Sequence, residues 1–233
     1  MNGEFRDKVI VVTGASSGIG RATAERFAGE GALVAVFARS TGALESFASA
    51  HAGRAIAVAG DVSDERDVDR LFNECESRLG DCDVLVNCAG MVDPRRMVET
   101  STAEWDRMFA VNVRGPFAAC RRALPSMIAR RSGAIVSVAS ISGVIGPEKF
   151  PGSVAYCASK AAVISMTEAL AVEVHEHGVR VNCISPGSVD TKMWAQVSGG
   201  APADMLPDEV AEAIVFLASE RSRPMNGQNL RLW

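Results

Sequence analysis

Tyr156 and Lys160 stand four residues apart in the run YCASK. On a helix that spacing puts both side chains on one face. A phenol titrates near pH ~10, and an adjacent ammonium favours the phenolate, so the pair can donate and accept a proton. The same spacing also suits a half-buried tyrosine covered by a lysine stem, and on the pair alone that plainer reading is favoured; the rest of the chain changes it. A second group is the glycine run GASSGIG, with Gly14, Gly18 and Gly20. It follows a β-branched run and opens an alanine-rich amphipathic stretch. Strand, turn and helix in that order suit a phosphate held on backbone N–H groups at the positive end of a helix. The spacing is G-x-x-x-G-x-G rather than G-x-G-x-x-G. An ordinary glycine loop is the alternative, and the strand-turn-helix context favours a dinucleotide site.

The elements that must position these groups alternate along the chain. Apolar runs predict strands at 8–13, 32–38, 54–59, 83–87, 134–139, 179–184 and 228–232. Between them lie predicted helices: 21–30; one capped by Ser40 or Thr41 and running to 51; one capped by Ser63 and running to 79; 102–130, bent near Pro116; 154–177; and 207–219. Unbroken apolar strands demand burial on both faces. The pattern is that of one α/β domain, 1–233, a Rossmann-like doubly wound parallel sheet of about seven strands with helices on both faces. Such sheets bind ligands outside the carboxyl ends of their strands. There the sequence places the glycine turn, Arg39-Ser40, Asp61-Val62, Asn87-Cys88-Ala89-Gly90, Ser140-Ile141-Ser142-Gly143 and Ser185-Pro186-Gly187. Residues 188–207, rich in Gly, Pro and Ser, are the expected mobile lid.

Composition removes several alternatives. A net charge of −4 gives no reason to expect nucleic acid or an anionic membrane as a partner. Residues 1–8 are polar, unlike a signal peptide, and no apolar run approaches the ~20 residues of a membrane span, so a cytoplasmic location is expected. The six cysteines form no C-x-x-C pair and read as free thiols. His175 and His177, two apart, make a poor metal pair, and no metal is expected.

Taken together, the chain resembles the short-chain dehydrogenase/reductase family. The resemblance rests on Thr13-Gly14-x-x-x-Gly18-Ile19-Gly20, Asp61-Val62, Asn87-Cys88-Ala89-Gly90, Asn112, Ser140, Tyr156-x-x-x-Lys160, and Pro186-Gly187 with Thr191. It implies a catalytic tetrad of Asn112, Ser140, Tyr156 and Lys160. Tyr156 would protonate a carbonyl oxygen, or act as base in oxidation. Lys160 would bind the nicotinamide ribose and lower the Tyr156 pKa. Ser140, rather than Ser142, would orient the carbonyl, and Asn112 would hold a water linking Lys160 to solvent. The cofactor would lie along Gly14, Ser16, Ser17, Gly18, Ile19 and Gly20, then Arg39 and Ser40, Asp61 and Val62, Asn87, Ala89 and Gly90, with Pro186, Gly187, Val189 and Thr191 at the nicotinamide and phosphates. Where an NAD enzyme carries an acid to bind the ribose hydroxyls, this chain has Ala38 followed by Arg39, which can pair with a 2′-phosphate. NADP(H) is therefore preferred, with NAD(H) as the alternative.

Four departures from the family accompany the resemblance. Cys88 replaces an asparagine. Extra residues, including 147–151, are expected to shape a pocket wall. The lid is short and the chain stops at Trp233, where relatives continue. The implied activity is interconversion of a carbonyl and a secondary alcohol by a homo-oligomer, tetramer or dimer, joined through 102–130 and 154–177. The competing readings are a non-catalytic dinucleotide-binding regulator, an NAD-dependent alcohol dehydrogenase, and an epimerase or dehydratase of the same fold.

Overall fold

The computed structural model describes residues 3–146 and 149–233. Pro147 and Glu148, part of the expected pocket wall, lie outside the described residues. Seven strands form one parallel sheet: β1 (Val9–Thr13), β2 (Leu33–Ala38), β3 (Ala55–Ala59), β4 (Val84–Asn87), β5 (Gly133–Val138), β6 (Val179–Pro186) and β7 (Asn229–Leu232). Their order is β3-β2-β1-β4-β5-β6-β7. The order reverses between β1 and β4, where Thr13 pairs with both Phe37 and Asn87.

The helices are α1 (Gly18–Gly29), α2 (Thr41–Ala50), α3 (Glu65–Arg78), α4 (Thr102–Phe109), α5 (Gly115–Arg130), α6 (Val154–Val174), α7 (Lys192–Val197) and α8 (Pro207–Ala218). Alternation along β1 shows how the sheet is covered. Ile10 and Val12 join Phe27 of α1, Leu44 and Phe47 of α2, and Ile214 of α8 in one core. Val9 and Val11 join Leu71 of α3, Ala119 of α5 and Ala171 of α6 in the other. All five β1 residues are buried, as a strand covered on both faces must be. The outermost strands β3 and β7 are only partly covered.

Two expectations need correcting. The helix across 102–130 is not one bent rod. It is α4 and α5 joined by a π-turn at Ala110–Arg114, in which the Gly115 N–H reaches the Ala110 carbonyl. Pro116 follows directly. It has no N–H for the Asn112 carbonyl that an α-ladder would assign to it, so a wider turn relieves the mismatch. Gly115 is needed there, since a Cβ would lie 2.7 Å from Val62 Cγ2. The cap of α3 is Asp64, which accepts the Arg66 N–H. Ser63 instead gives its N–H and O–H to the Asp61 carboxylate, at 2.9 and 2.7 Å.

The expected lid has internal structure. Met205 N–H donates to the Ser188 carbonyl and Asp190 N–H to the Met205 carbonyl. The Ser188 hydroxyl donates to Asp204 at 2.5 Å, and the Trp194 indole N–H donates to the Ala201 carbonyl at 2.9 Å. The loop is thus clasped at its base and pinned across its middle.

Candidate active site

The strand ends at the sheet reversal build a cradle of bare backbone. Gly14 and Gly18 have φ of 69° and 55°, the left-handed region that only glycine enters freely. A Cβ on Gly14 would sit 2.7 Å from the Ala89 backbone, so the glycine turn and the Asn87–Gly90 loop pack without side chains between them. The Thr13 hydroxyl accepts the Ala89 N–H at 3.2 Å, which fixes the two loops together. Helix α1 opens at Gly18. Its N-cap residue Ser17 makes no side-chain cap bond, and the first turn holds no acid. Those N–H groups therefore keep their donor capacity and their positive field. Ser17 is exposed, Ser16 half-buried, and Ile19 packs on the core. The Thr191 methyl would stand 3.0 Å from a Cβ on Gly18, so the root of the lid overhangs the cradle. This cradle fits a diphosphate.

The adenosine side is read from β2 and β3. Arg39 and Ser40 are exposed after β2. Among the described residues Arg39 makes no hydrogen bond or ion pair. Asp61 follows β3, with one oxygen held by Ser63, and Val62 is buried beside Gly115. Asn87 is placed differently from expectation. Its side chain is buried and turned into the layer below, donating to Ser137 Oγ at 3.3 Å and Cys120 Sγ at 3.5 Å. The strand alternation sends it there, and from below it anchors the loop that follows β4.

The four tetrad candidates meet at the carboxyl ends of β4 and β5. Tyr156 is partly exposed and Lys160 buried on α6. The Ser140 hydroxyl lies close enough to the Tyr156 phenol to favour its ionised form. Ser140 Oγ also accepts the Ser142 N–H at 3.1 Å. Gly143 lets this turn rest on α6, since a Cβ there would come within 2.6 Å of the Lys160 main-chain carbon. Asn112, in the π-turn, accepts the Met91 N–H at 2.8 Å and donates to the Met91 carbonyl and the Ser159 hydroxyl, both at 3.0 Å. Its side chain is thus spent on fixing the loop after β4. A Cβ on Gly90 would lie 3.4 Å from Lys160 Nζ and 3.5 Å from Asn112 Oδ1, which brings that loop against both.

Burial dominates the electrostatics of the pair. Lys160 Nζ donates to the Val138 carbonyl at 2.8 Å and lies 5.8 Å from the centre of the Tyr156 ring, under its face. Burial holds the Lys160 pKa down, to about 8. Burial pushes the Tyr156 phenol up, and the Ser140 hydrogen bond works against that rise. The Ser140 hydroxyl favours the phenolate, and the ammonium beneath the ring acts in the same direction. The Cys88 thiol is pushed up to about 12 by burial and behaves as a small apolar side chain. On the lid, Val189 is buried and Thr191 caps α7 by accepting the Trp194 N–H at 3.2 Å. Pro186 ends β6, and the Gly187 N–H donates to the Leu232 carbonyl at 2.9 Å.

Comparison with known proteins agrees with this fold. The family model described as short chain dehydrogenase matches residues 8–201. Meso-2,3-butanediol dehydrogenase of Serratia marcescens is 38% identical over 239 residues, covering 97% of this chain and 93% of that one. Among solved structures, one of ribose-5-phosphate isomerase from Brucella melitensis 16M superposes with a TM-score of 0.91 at 38% identity, covering all of this chain and 93% of the other. A 3-ketoacyl-(acyl-carrier-protein) reductase from Brucella melitensis, complexed with NADH, superposes with a TM-score of 0.89 at 31% identity, covering 98% and 97%.

Proposed function

The chain belongs to the short-chain dehydrogenase/reductase family of NAD(P)-binding oxidoreductases, and from that premise we propose that it interconverts a small ketone and its secondary alcohol with NADP(H), using Tyr156 as acid and base. The observation that carries this reading is the gathering of Ser140, Tyr156 and Lys160 at one sheet edge: Ser140 follows β5, and Lys160 lies beneath the tyrosine ring with its ammonium on the Val138 carbonyl.

A bound nicotinamide supplies or accepts the hydride. Gly14, Ser16, Ser17, Gly18, Ile19 and Gly20 would hold the diphosphate, and Asp61, Val62 and the Ala89–Gly90 backbone the adenosine. Pro186, Gly187, Val189 and Thr191 would flank the nicotinamide end. Arg39, exposed and unengaged among the described residues, would pair with a 2′-phosphate. The NADH bound by the Brucella reductase favours the competing NAD(H) reading.

In reduction, the Ser140 hydroxyl orients the substrate carbonyl and Tyr156 delivers the proton to its oxygen. In oxidation Tyr156 takes that proton, and Ser140 supports the phenolate. Lys160 is bound to the Val138 carbonyl and stands ready to exchange it for a ribose hydroxyl. Asn112 serves the proton path through its main chain, because Pro116 leaves its carbonyl without the usual helix donor. A water held there could resupply Lys160.

We further propose one domain over 1–233, acting in the cytoplasm as a homo-oligomer, dimer or tetramer, on a small-molecule carbonyl or alcohol. Tyr156→Phe is the direct test. It should abolish ketone reduction while leaving NADPH binding, followed by fluorescence, within twofold of wild type. Turnover retained in the variant overturns the mechanism. Isomerisation without net nicotinamide oxidation would instead favour the isomerase-like chemistry carried by the Brucella neighbour's name.

A further inference from the structure

Lys149 belongs to none of the motifs above. It is an exposed residue in the segment between the Ser140 turn and α6. Its ammonium donates to two main-chain carbonyls, those of Ser142 and Val144, each at 2.7 Å. Both acceptors sit in or beside the short turn Ile141–Gly143 that follows Ser140. Ser142 is therefore gripped from both ends of its backbone. Its carbonyl takes the Lys149 ammonium, and its N–H points at Ser140 Oγ. That N–H fills one acceptor position of Ser140 Oγ and fixes the oxygen in place, leaving the hydroxyl proton and the other lone pair free for the phenol.

The other end of Lys149 is anchored as well. The next residue, Phe150, is tied to Ser153, whose hydroxyl donates to the Phe150 carbonyl at 2.7 Å. Ser153 is the N-cap residue of α6 and accepts the Cys157 thiol at 3.2 Å, one residue past Tyr156. The Arg95 N–H donates to the Gly152 carbonyl at 3.0 Å, bracing the segment from the loop after β4. The ammonium thus bridges the two pieces of chain that carry Ser140 and Tyr156.

We propose that Lys149 is a positioning residue, a clamp that holds the Ser142 peptide and, through its N–H, keeps Ser140 beside Tyr156. The proposal rests on the oxidoreductase reading of the site for its catalytic consequence, but its geometric claim can be tested without turnover. Tyr156 is the chain's one tyrosine, so ultraviolet titration of phenolate reads this residue alone. The titratable groups facing it are Lys160 under the ring and Cys157 beside it, and both stay in place in the variants below.

The experiment compares wild type, Lys149→Met, Lys149→Arg, Ser140→Ala and the double variant Lys149→Met/Ser140→Ala. Each is assayed for phenolate titration, melting temperature and steady-state ketone reduction with NADPH. Lys149→Met should raise the phenolate midpoint in the direction of Ser140→Ala, and should lower kcat about tenfold with KM within twofold. Arginine, with several N–H donors, should restore most of both. In the Ser140→Ala background, Lys149→Met should change neither reading further, because the clamp acts through Ser140. A wild-type midpoint in Lys149→Met overturns the proposal, as does an equal shift in the Ser140→Ala background. If no ketone is reduced by the wild type yet the midpoints shift as stated, the oxidoreductase reading falls and the clamp stands.

Discussion

Gly143→Ala tests whether contact between the Ser140 turn and α6 sets the site. Gly143 lies outside the left-handed region, so alanine meets no backbone strain and any effect comes from space alone. The added Cβ would stand 2.6 Å from the Lys160 carbonyl carbon and 2.7 Å from the Ala161 nitrogen. Ordinary contact starts at 3.4 Å, so the turn and the helix must part by about 0.8 Å. Both contacted atoms are main chain in the middle of a 21-residue helix, and neither can swing aside. Overpacking of this kind costs about 1–3 kcal/mol, which for a chain of this size lowers Tm by roughly 2–12 °C. The catalytic effect should be larger. Lifting the turn draws Ser140 away from Tyr156, and a displacement near 1 Å costs on the order of a hundredfold in rate. Calorimetry and steady-state ketone reduction on one preparation read both numbers, and NADPH binding should be nearly unchanged. An alanine variant with wild-type Tm and kcat would refute the reasoning, because it would show that the turn can rise without consequence.

Arg39→Ala should weaken NADPH at least tenfold and NADH much less, as read by parallel fluorescence titrations; equal losses remove the 2′-phosphate assignment. Lys160→Met should abolish ketone reduction and change how stability depends on pH. The Lys160 pKa falls from 10.5 when exposed to about 8 in the fold, so the unfolded chain binds an extra proton between those values and wild-type stability gains with rising pH across that window. Below pH 8 the buried ammonium costs about 3 kcal/mol, partly offset by its bond to Val138. Urea unfolding should therefore show the methionine variant's relative stability falling from pH 8 to 10.5, and a constant difference would refute the shift. Cys88, with its thiol near 12, should resist iodoacetamide at neutral pH in the folded protein, and mass spectrometry of digested protein would detect any labelling.

Much of the fold was legible because strands covered on both faces leave an unmistakable apolar record, as in VIVVT at β1. The glycine turn was legible because its cradle tolerates no side chain. What escaped were features written in main-chain atoms. Pro116 signalled a disturbance, but the π-turn around Asn112 follows from the joint demands of Pro116 and Gly115 against Val62, a contact across the fold. Lys149 bonds carbonyls, which every residue carries, so no side-chain motif announces it. Asn87 stood at the ligand edge in sequence, yet strand alternation faces it inward. The lid read as loose because its clasp joins Ser188 to Asp204 and Met205, residues that composition alone does not pair.

The strand order also bears on how the chain is made. β1 leaves the ribosome before the other six strands, yet it sits inside the sheet, with β2 on one side and β4 on the other. Val12 finds Val36 soon, but must wait for Val86. At translation speeds of ~5–20 residues per second, the more than seventy residues between Val12 and Val86 keep that edge open for roughly 4–15 s. Through that interval an apolar strand with unpaired backbone groups is exposed to any other strand nearby. The catalytic pair lies later still, so a nascent chain could form its phosphate cradle only after β4 and its proton-transfer site only after α6. The order of synthesis thus places the residues of the cradle ahead of those of the proton-transfer site.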